Sequence, residues 1–379
     1  MLFIRLGAIG DVVRTLPALR LVRHRHPEAW IAWAVEGRAL PIVQGHPDLD
    51  DVVPIDREAI AGDLSQPDTF FAGLVRAGKL RNELRRRRFT ISLDFQGTFK
   101  SGLVAFAAGA PVRAGFERRA VKEGNHFFNN RYCSLPDRPV HRVERNLRLL
   151  EALGIAPEPP EGPVLLPIGE ADREAAAGAI SECGAADRPF VFVYPGSSRL
   201  QAYKRYPANR FGAVIHRLQE AGATVLVALG PGERDIEPEL RASCGGALRV
   251  LPELPLLAMA EVIRRSALYL GNDTGPMHMA WLQGVPVVAL FGPTDPALNA
   301  PWGEDHVVID ALASPQVRPG IARPTPAGAR PRSDSVFESL DPGTVAEAVL
   351  RRLETTEDRR APNVSQSARG ERKNAAAVP

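Results

Sequence analysis

The feature that most limits what this chain can fold into is an alternation running nearly its whole length. A short apolar run ends at a junction carrying glycine or an acidic residue, and a helix-length stretch follows. The runs are LFIRL, WIAWAVE, DDVVPID and FTISLDF in the first half, then PFVFVYPG, TVLVALGPGE, LYLGNDTG and VPVVALFGP in the second. Runs this short and this apolar suit strands buried on both faces, and the helical stretches between them supply crossovers, so the pattern predicts parallel α/β sheets. The first crossover is expected as one helix with Val12, Leu16, Leu19 and Val22 on its apolar face. LVRAGKLRNELRRRR separates DDVVPID from FTISLDF, and VERNLRLLEALG closes the first half with Gly154 as its C-cap. Helices are also expected over Ala208 to Gly222 and over PGTVAEAVLRRLE, the latter ending near Glu354.

The rhythm pauses once, at IAPEPPEGPVLLPIGE (Ile155 to Glu170), whose proline and glycine content reads as a linker. The expected division is therefore a domain over 1–160, a second over 161–354, and a polar tail over 355–379 without periodicity, expected to be disordered. Ala311 to Asp334, with several prolines, is expected as a surface loop.

Composition sets boundaries on function. A formal net charge of +3, from 47 basic against 44 acidic residues, argues against a dedicated nucleic-acid binder while leaving room for a local basic face. Cys133, Cys183 and Cys244 lie far apart and lack metal-ligand or redox spacing, which points to free thiols in a reducing compartment. Arg5 and Asp11 interrupt the apolar start too early for a secretory signal, and no uncharged segment approaches membrane-spanning length, so a cytoplasmic location is expected. G-x-S-x-G and HExxH are absent, leaving serine hydrolase and metalloenzyme chemistry without support.

In parallel α/β sheets ligands gather beyond the carboxyl ends of strands, where helix N-termini offer free N–H groups. Four such junctions stand out. Gly7-Ala8-Ile9-Gly10-Asp11 permits a tight turn and places Asp11 at a helix start, as a cap or as a general base facing a cleft. It is neither the G-x-G-x-x-G fingerprint nor a phosphate-binding GK[ST] loop. PGSSRLQAYKRYP offers Ser197, Ser198 and Lys204, suited to phosphates or simply to a solvated serine turn. GPGERD offers Glu233, suited to ribose hydroxyls or to a surface helix start. Finally, GNDTGPMH brings Asp273, Thr274, Gly275 and His278 together, and an N-cap accounts for only one of them.

Together these pieces resemble the ADP-heptose:lipopolysaccharide heptosyltransferases of glycosyltransferase family 9. The matching stretches are RLGAIGDVVRTLPALRLVRHRHP, LDFQGTFKSGLVAFAAGAPVRAGF, YPGSSRLQAYKRYP and GNDTGPMHMAWLQGVPVVALFGPTDP, in the family's order. The Ser198 to Lys204 loop is longer than in the heptosyltransferase I pattern, and Ala311 to Asp334 lacks the cysteine-containing segment of many relatives.

The resemblance implies a GT-B fold of two facing Rossmann-like domains and an inverting transfer of heptose from ADP-heptose to an inner-core acceptor, without metal or other cofactor. By motif, Asp11 becomes the base. Ser197, Ser198 and Lys204 become diphosphate contacts, Glu233 the ribose contact, and Asp273, Thr274, Gly275 and His278 the diphosphate and sugar wall. An anionic, lipid-linked acceptor implies peripheral contact with the inner membrane, with Gly10, Arg113, Arg118 and Arg119 as acceptor-side residues. The Arg85 to Arg88 run fits the same face or a solvated helix end. The competing functions are a sugar-nucleotide epimerase on the same architecture and a non-catalytic nucleotide-sugar binder.

Overall fold

A computed structural model describes residues 1–313, 318–319 and 333–360. Two sheets organise it. The first is wholly parallel and comprises β1 (Leu2–Ile4), β2 (Ala32–Val35), β3 (Asp51–Pro54), β4 (Ile91–Asp94), β5 (Val112–Phe116) and β6 (Arg131–Cys133), in the order β3-β2-β1-β4-β5-β6. The second contains β7 (Phe190–Tyr194), β8 (Thr224–Val227), β9 (Leu268–Asn272), β10 (Val287–Phe291) and β11 (Val307–Asp310), with β12 (Arg318–Pro319) antiparallel at one edge. Its order is β12-β11-β10-β9-β7-β8. Both are doubly wound orders, and both reverse direction at one place: between β1 and β4 in the first sheet, between β7 and β9 in the second. The junctions after β1, β7 and β9 are those that carry Asp11, Lys204 and Asp273.

Each of the eight apolar runs contains a strand, and β2, β7, β9 and β10 are buried at every position. Four strands escape the sequence pattern, among them the two-residue β12, which lies inside the segment expected as a surface loop. β5 reads VRAGF, and its Gly115 is small because an added Cβ would lie 2.3 Å from the Asn129 amide. β6 has only three residues, two of them exposed, and β11 only four.

The single first crossover helix is corrected to two, Ile9–Val13 and Leu16–Arg25. Pro17 stands in the first turn of the second, where its missing N–H and fixed φ start a helix readily but do not continue one. The apolar face is nonetheless right: Val12, Leu16, Leu19 and Val22 are fully buried. Gly154 closes the Leu150–Leu153 turn at φ 78°, where only glycine is unstrained. Residues 155–169 then carry no helix or strand. The last helix, Pro342–Arg360, runs past Glu354. The rest of the expected tail and most of the 311–334 segment lie outside the described residues.

The halves are not separate bodies joined by a string. One apolar cluster runs from Phe3, Val13 and Leu16 of the first half into Met277, Trp281 and Ala300 of the second. The Ile9–Val13 and Gly275–Leu282 helices meet in it. An added Cβ on Gly10 would lie 2.8 Å from His278 Cδ2, and one on Gly275 would lie 3.1 Å from Ile9 Cγ2. Both glycines are thus required by the approach of two helices.

Candidate active site at the domain junction

Asp11 is the third residue of its helix, and the N-cap is Ala8, so the capping role is excluded. Its carboxylate is instead held by two arginines: Arg5 Nη2 lies 2.6 Å from Oδ2, and Arg14 Nη2 donates to Oδ1. Burial pushes the carboxyl pKa up, but Arg5 and Arg14 outweigh it and hold it well below the usual carboxylate range. Arg14 also donates to Asn299 Oδ1 of the second half at 2.6 Å, spanning the junction. Asn146 anchors the turn by donating to Arg14 O and to Thr15 Oγ1, each at 3.0 Å.

Across the junction stands the second charged group. Lys204 Nζ donates to Asp273 Oδ2 at 3.2 Å, and His278 Nε2 lies 3.7 Å from Asp273 Oδ1. Trp281 Nε1 donates to His278 Nδ1 at 3.0 Å, which leaves the ring proton on Nε2, facing the carboxylate. Burial, then Arg14, lowers the His278 pKa to about 4, so the imidazole is neutral at physiological pH. Burial raises Asp273, but the His278 contact, Lys204 and Arg14 overcome that and keep it ionised. Thr274 occupies the N-cap position of the Gly275–Leu282 helix without a side-chain cap, because its hydroxyl turns to Asn272 O at 3.4 Å. Asn272 itself ties the loops together, donating to Pro195 O at 2.9 Å and accepting from Tyr206 N at 3.0 Å.

The neighbouring loops divide their residues between scaffold and surface. Ser197 is buried, donates to Gln201 O at 2.9 Å and accepts from Arg205 Nε at 3.1 Å, so its hydroxyl holds its own turn. Ser198 is exposed at the start of that turn. Glu233 is buried and accepts from Gly230 N at 2.8 Å, close to the Tyr194 hydroxyl. Gly196 makes room for it, since a Cβ there would lie 1.9 Å from Glu233 Oε2. The surface helix-start reading of Glu233 is therefore corrected: this carboxylate fastens the β7 and β8 loops.

The acceptor-side residues scatter. Arg113 lies near the amino end of β5, away from the junction, with Nε donating to Phe128 O at 2.8 Å and Nη1 to Ala110 O at 2.9 Å. It is a structural clamp and does not reach the site. Arg118 is exposed beyond the carboxyl end of β5. Arg119 is occupied by Glu117, Asp137 and Leu135 O. Within the arginine run, Arg87 pairs with Asp51 at 2.6 Å and Arg85 donates to Ala107 O at 3.2 Å, fastening a helix end to its neighbours. Gly10 does sit at the junction, against His278.

Sequence reasoning missed Arg5, Arg14, Asn299 and Trp281. Two had a readable signal: Arg14 follows Asp11, and Trp281 follows His278, by the three residues that align side chains on a helix. Among the described residues no set of three or more His, Cys, Asp or Glu side chains gathers as a metal site. No described helix is long and apolar enough to cross a membrane.

Comparison with known proteins agrees with this layout. Lipopolysaccharide heptosyltransferase 1 of Pseudomonas aeruginosa is 29% identical over 316 residues, covering 81% of this chain and 82% of that protein. The lipopolysaccharide core heptosyltransferase OpsX of Haemophilus influenzae is 24% identical over 309 residues, covering 80% of this chain and 82% of its own length. In fold, a family 9 glycosyl transferase from Veillonella parvula superposes with a TM-score of 0.75 at 20% identity, over 93% of this chain and 97% of that one. The E. coli heptosyltransferase WaaC with ADP gives 0.70 at 21% identity, over 93% and 99%. The architecture is accordingly GT-B, two Rossmann-like halves facing each other across the junction. Residues 77–319 match glycosyltransferase family 9 (heptosyltransferase), and the chain belongs to that family of glycosyltransferases.

Proposed function

We propose that the protein transfers heptose from ADP-heptose, with inversion, to a sugar hydroxyl of the lipopolysaccharide inner core, using Asp11 as base. The observation that carries this reading is the pairing across the junction: the Arg5–Asp11–Arg14 group on one half faces Lys204–Asp273–His278 on the other. Family membership does not favour the epimerase or the non-catalytic binder.

The chemistry follows from the charges. The acceptor O–H bond breaks as its proton passes to an Asp11 oxygen, and the new C–O bond forms at the anomeric carbon. The bond from that carbon to the β-phosphate oxygen breaks, leaving its electron pair on ADP. Lys204 and the uncapped N–H groups of the Gly275–Leu282 helix are positioned to meet that charge, which lets the transfer run without a metal. A diphosphate there also offers Arg14 an anion besides Asp11. Weakening the Arg14–Asp11 pair raises the proton affinity of the base when the donor is in place. Neutral His278, with its proton on Nε2, keeps Asp273 oriented toward sugar hydroxyls.

Contact with an anionic membrane face is supported by one surface. Phe70, Phe71, Leu74 and Val75 of the Phe70–Arg86 helix and Phe99, Leu103 and Phe106 of the Phe99–Ala108 helix are exposed, as is Phe127, with Phe71 at 79% and Phe127 at 80%. The Phe99–Ala108 helix starts at the carboxyl end of β4, while the Phe70–Arg86 helix ends by the amino end of β4. The starts of both helices therefore lie along the sheet edge that holds Asp11. Lys79, Lys100, Arg118 and Lys122 flank them, all exposed. Exposed apolar side chains with cations on the same helices and adjoining loop, and one acid, Glu123, at Phe99 N, suit the surface of an anionic bilayer carrying the acceptor.

The test is purified protein with ADP-heptose and Kdo2-lipid A. Release of ADP coupled to acceptor growth supports the reading. Conversion of the ADP-sugar without acceptor, or saturable binding without turnover, replaces it.

A further inference from the structure

One recess beside the site takes no part in the donor and base contacts. It has a volume of about 280 Å³ and lies almost wholly on the first half, with Leu298 the one contribution from the second. Four arginines line it, Arg119, Arg138, Arg142 and Arg145, against a single acid, Asp137. Three are already committed. Arg119 is held by Glu117 and Asp137, and Arg138 by Glu144 at 2.6 Å. Arg145 lies 3.6 Å over the Phe116 ring and donates to Phe95 O and Ala120 O. Arg142 is different: no hydrogen bond or ion pair holds its guanidinium among the described residues. Its side chain is exposed in a recess that adjoins the reacting junction: Arg145 beside it donates to Phe95 O, as Arg5 does, and Leu298 precedes Asn299, the partner of Arg14.

Its backbone, by contrast, is fixed. Arg142 opens the Arg142–Leu149 helix, and the N-cap His141 accepts from Val143 N at 3.2 Å through Nδ1 and bonds Ala300 O of the other half at 2.9 Å through Nε2. The His141 ring also packs against Trp302, centroids 4.8 Å apart. A cation on the first turn of a helix opposes the helix dipole, and here it also faces two like charges, Arg5 and Arg14. Counting the unbalanced groups, Arg5, Arg14, Arg142 and Lys204 outnumber Asp11 and Asp273 by two positive charges. A rigidly based arm with free donors, in a cationic recess, is arranged for an anion that arrives with a ligand.

We infer that Arg142 is the acceptor-side anion grip, binding a carboxylate or phosphate on the acceptor sugar and so holding the nucleophilic hydroxyl against Asp11. This rests on the transferase reading and deepens it. The side is set by the recess: its walls belong to the half that carries Asp11, whereas the donor-facing Lys204 and Gly275 belong to the other. The planar fork of arginine meets two oxygens of such a group at once, which lysine does not.

Binding, read apart from turnover, tests the inference. Deacylated inner-core saccharide is titrated calorimetrically into wild type, Arg142→Ala and Arg142→Lys, in its native, carboxyl-reduced and dephosphorylated forms, and ADP is titrated in parallel. Arg142→Ala is expected to weaken the native saccharide about 10- to 100-fold. Arg142→Lys should recover part of the loss, ADP affinity should hold, and the melting temperature should not fall, because the replaced cation opposed the helix dipole. Loss of the Arg142 effect in the carboxyl-reduced form identifies the carboxylate, and loss in the dephosphorylated form identifies the phosphate. Equal saccharide affinity in wild type and Arg142→Ala overturns the inference, and so does weakened ADP binding, which would put Arg142 on the donor side. Saccharide binding through Arg142 in a protein that transfers no heptose would instead overturn the transferase reading alone.

Discussion

At the scale of single residues the site is a set of charges that make sense only as pairs. Lys204 and Asp273 are nearly buried, with side chains 13% and 7% exposed, so removing either leaves a poorly solvated ion. Lys204→Ala is therefore expected to lower kcat/KM for the donor by about 10²- to 10³-fold and to lower the melting temperature as well. Unchanged donor kinetics would remove Lys204 from the diphosphate. Trp281→Phe leaves packing nearly intact but releases His278 Nδ1, and is expected to lower kcat about tenfold with little change in ADP affinity. A wild-type kcat would show that the imidazole needs no orienting bond. Asp11, Lys204, Asp273 and His278 could be singled out because each lies on a junction between an apolar run and the helix that follows it. Arg5 was not, since its place in the run LFIRL does not say that its guanidinium folds onto Asp11, and Arg14 showed only its three-residue spacing from Asp11. The surface alternative for Glu233 fails for the complementary reason: a loop glutamate looks solvated until two glycines, 196 and 230, make a buried place for it.

At the scale of elements, the crossing of the Ile9–Val13 and Gly275–Leu282 helices sets how close the two charged groups come. Gly10→Ala places a methyl 2.8 Å from the His278 ring, in a well-packed cluster that has little room to yield. Transfer is expected to fall at least tenfold, with a melting temperature below wild type, and normal turnover would mean the crossing has slack. The membrane contact proposed for the exposed apolar residues is tested separately. Replacing Phe99, Leu103 and Phe106 together with serine is expected to weaken sedimentation with phosphatidylglycerol vesicles while leaving transfer to a deacylated acceptor near normal. Undiminished vesicle binding would remove these residues from the proposed membrane contact. Central strands were readable from sequence because burial on both faces makes them continuously apolar. β5, β6 and β11 carry arginine, glycine or too few residues for that signal. The helix break at Pro17 hid within an apolar spacing that both helices share.

For the whole molecule, the junction is stiffened by polar contacts that depend on pH. Burial lowers His141, His278 and His306 from 6.5 to about 4. Between those values the unfolded chain binds more protons than the folded one, so stability is fully present above about pH 6.5 and declines as pH falls toward 4. Asp11 and Asp273, held low by their cations, lose their contribution only at still lower pH. The melting temperature should therefore begin to drop below about pH 6.5, ahead of carboxylate titration, and a flat profile down to about pH 4.5 would contradict the buried, neutral histidines. The proposed transfer depends on the two halves bringing a base and a leaving-group site to one place. The direct measurement is Asp11→Asn, followed by single-turnover transfer and by ADP titration on the same preparation. With Asp11 as base, transfer is expected to slow by about 10²- to 10⁴-fold while ADP affinity stays within about twofold of wild type. Transfer at the wild-type rate would contradict that role.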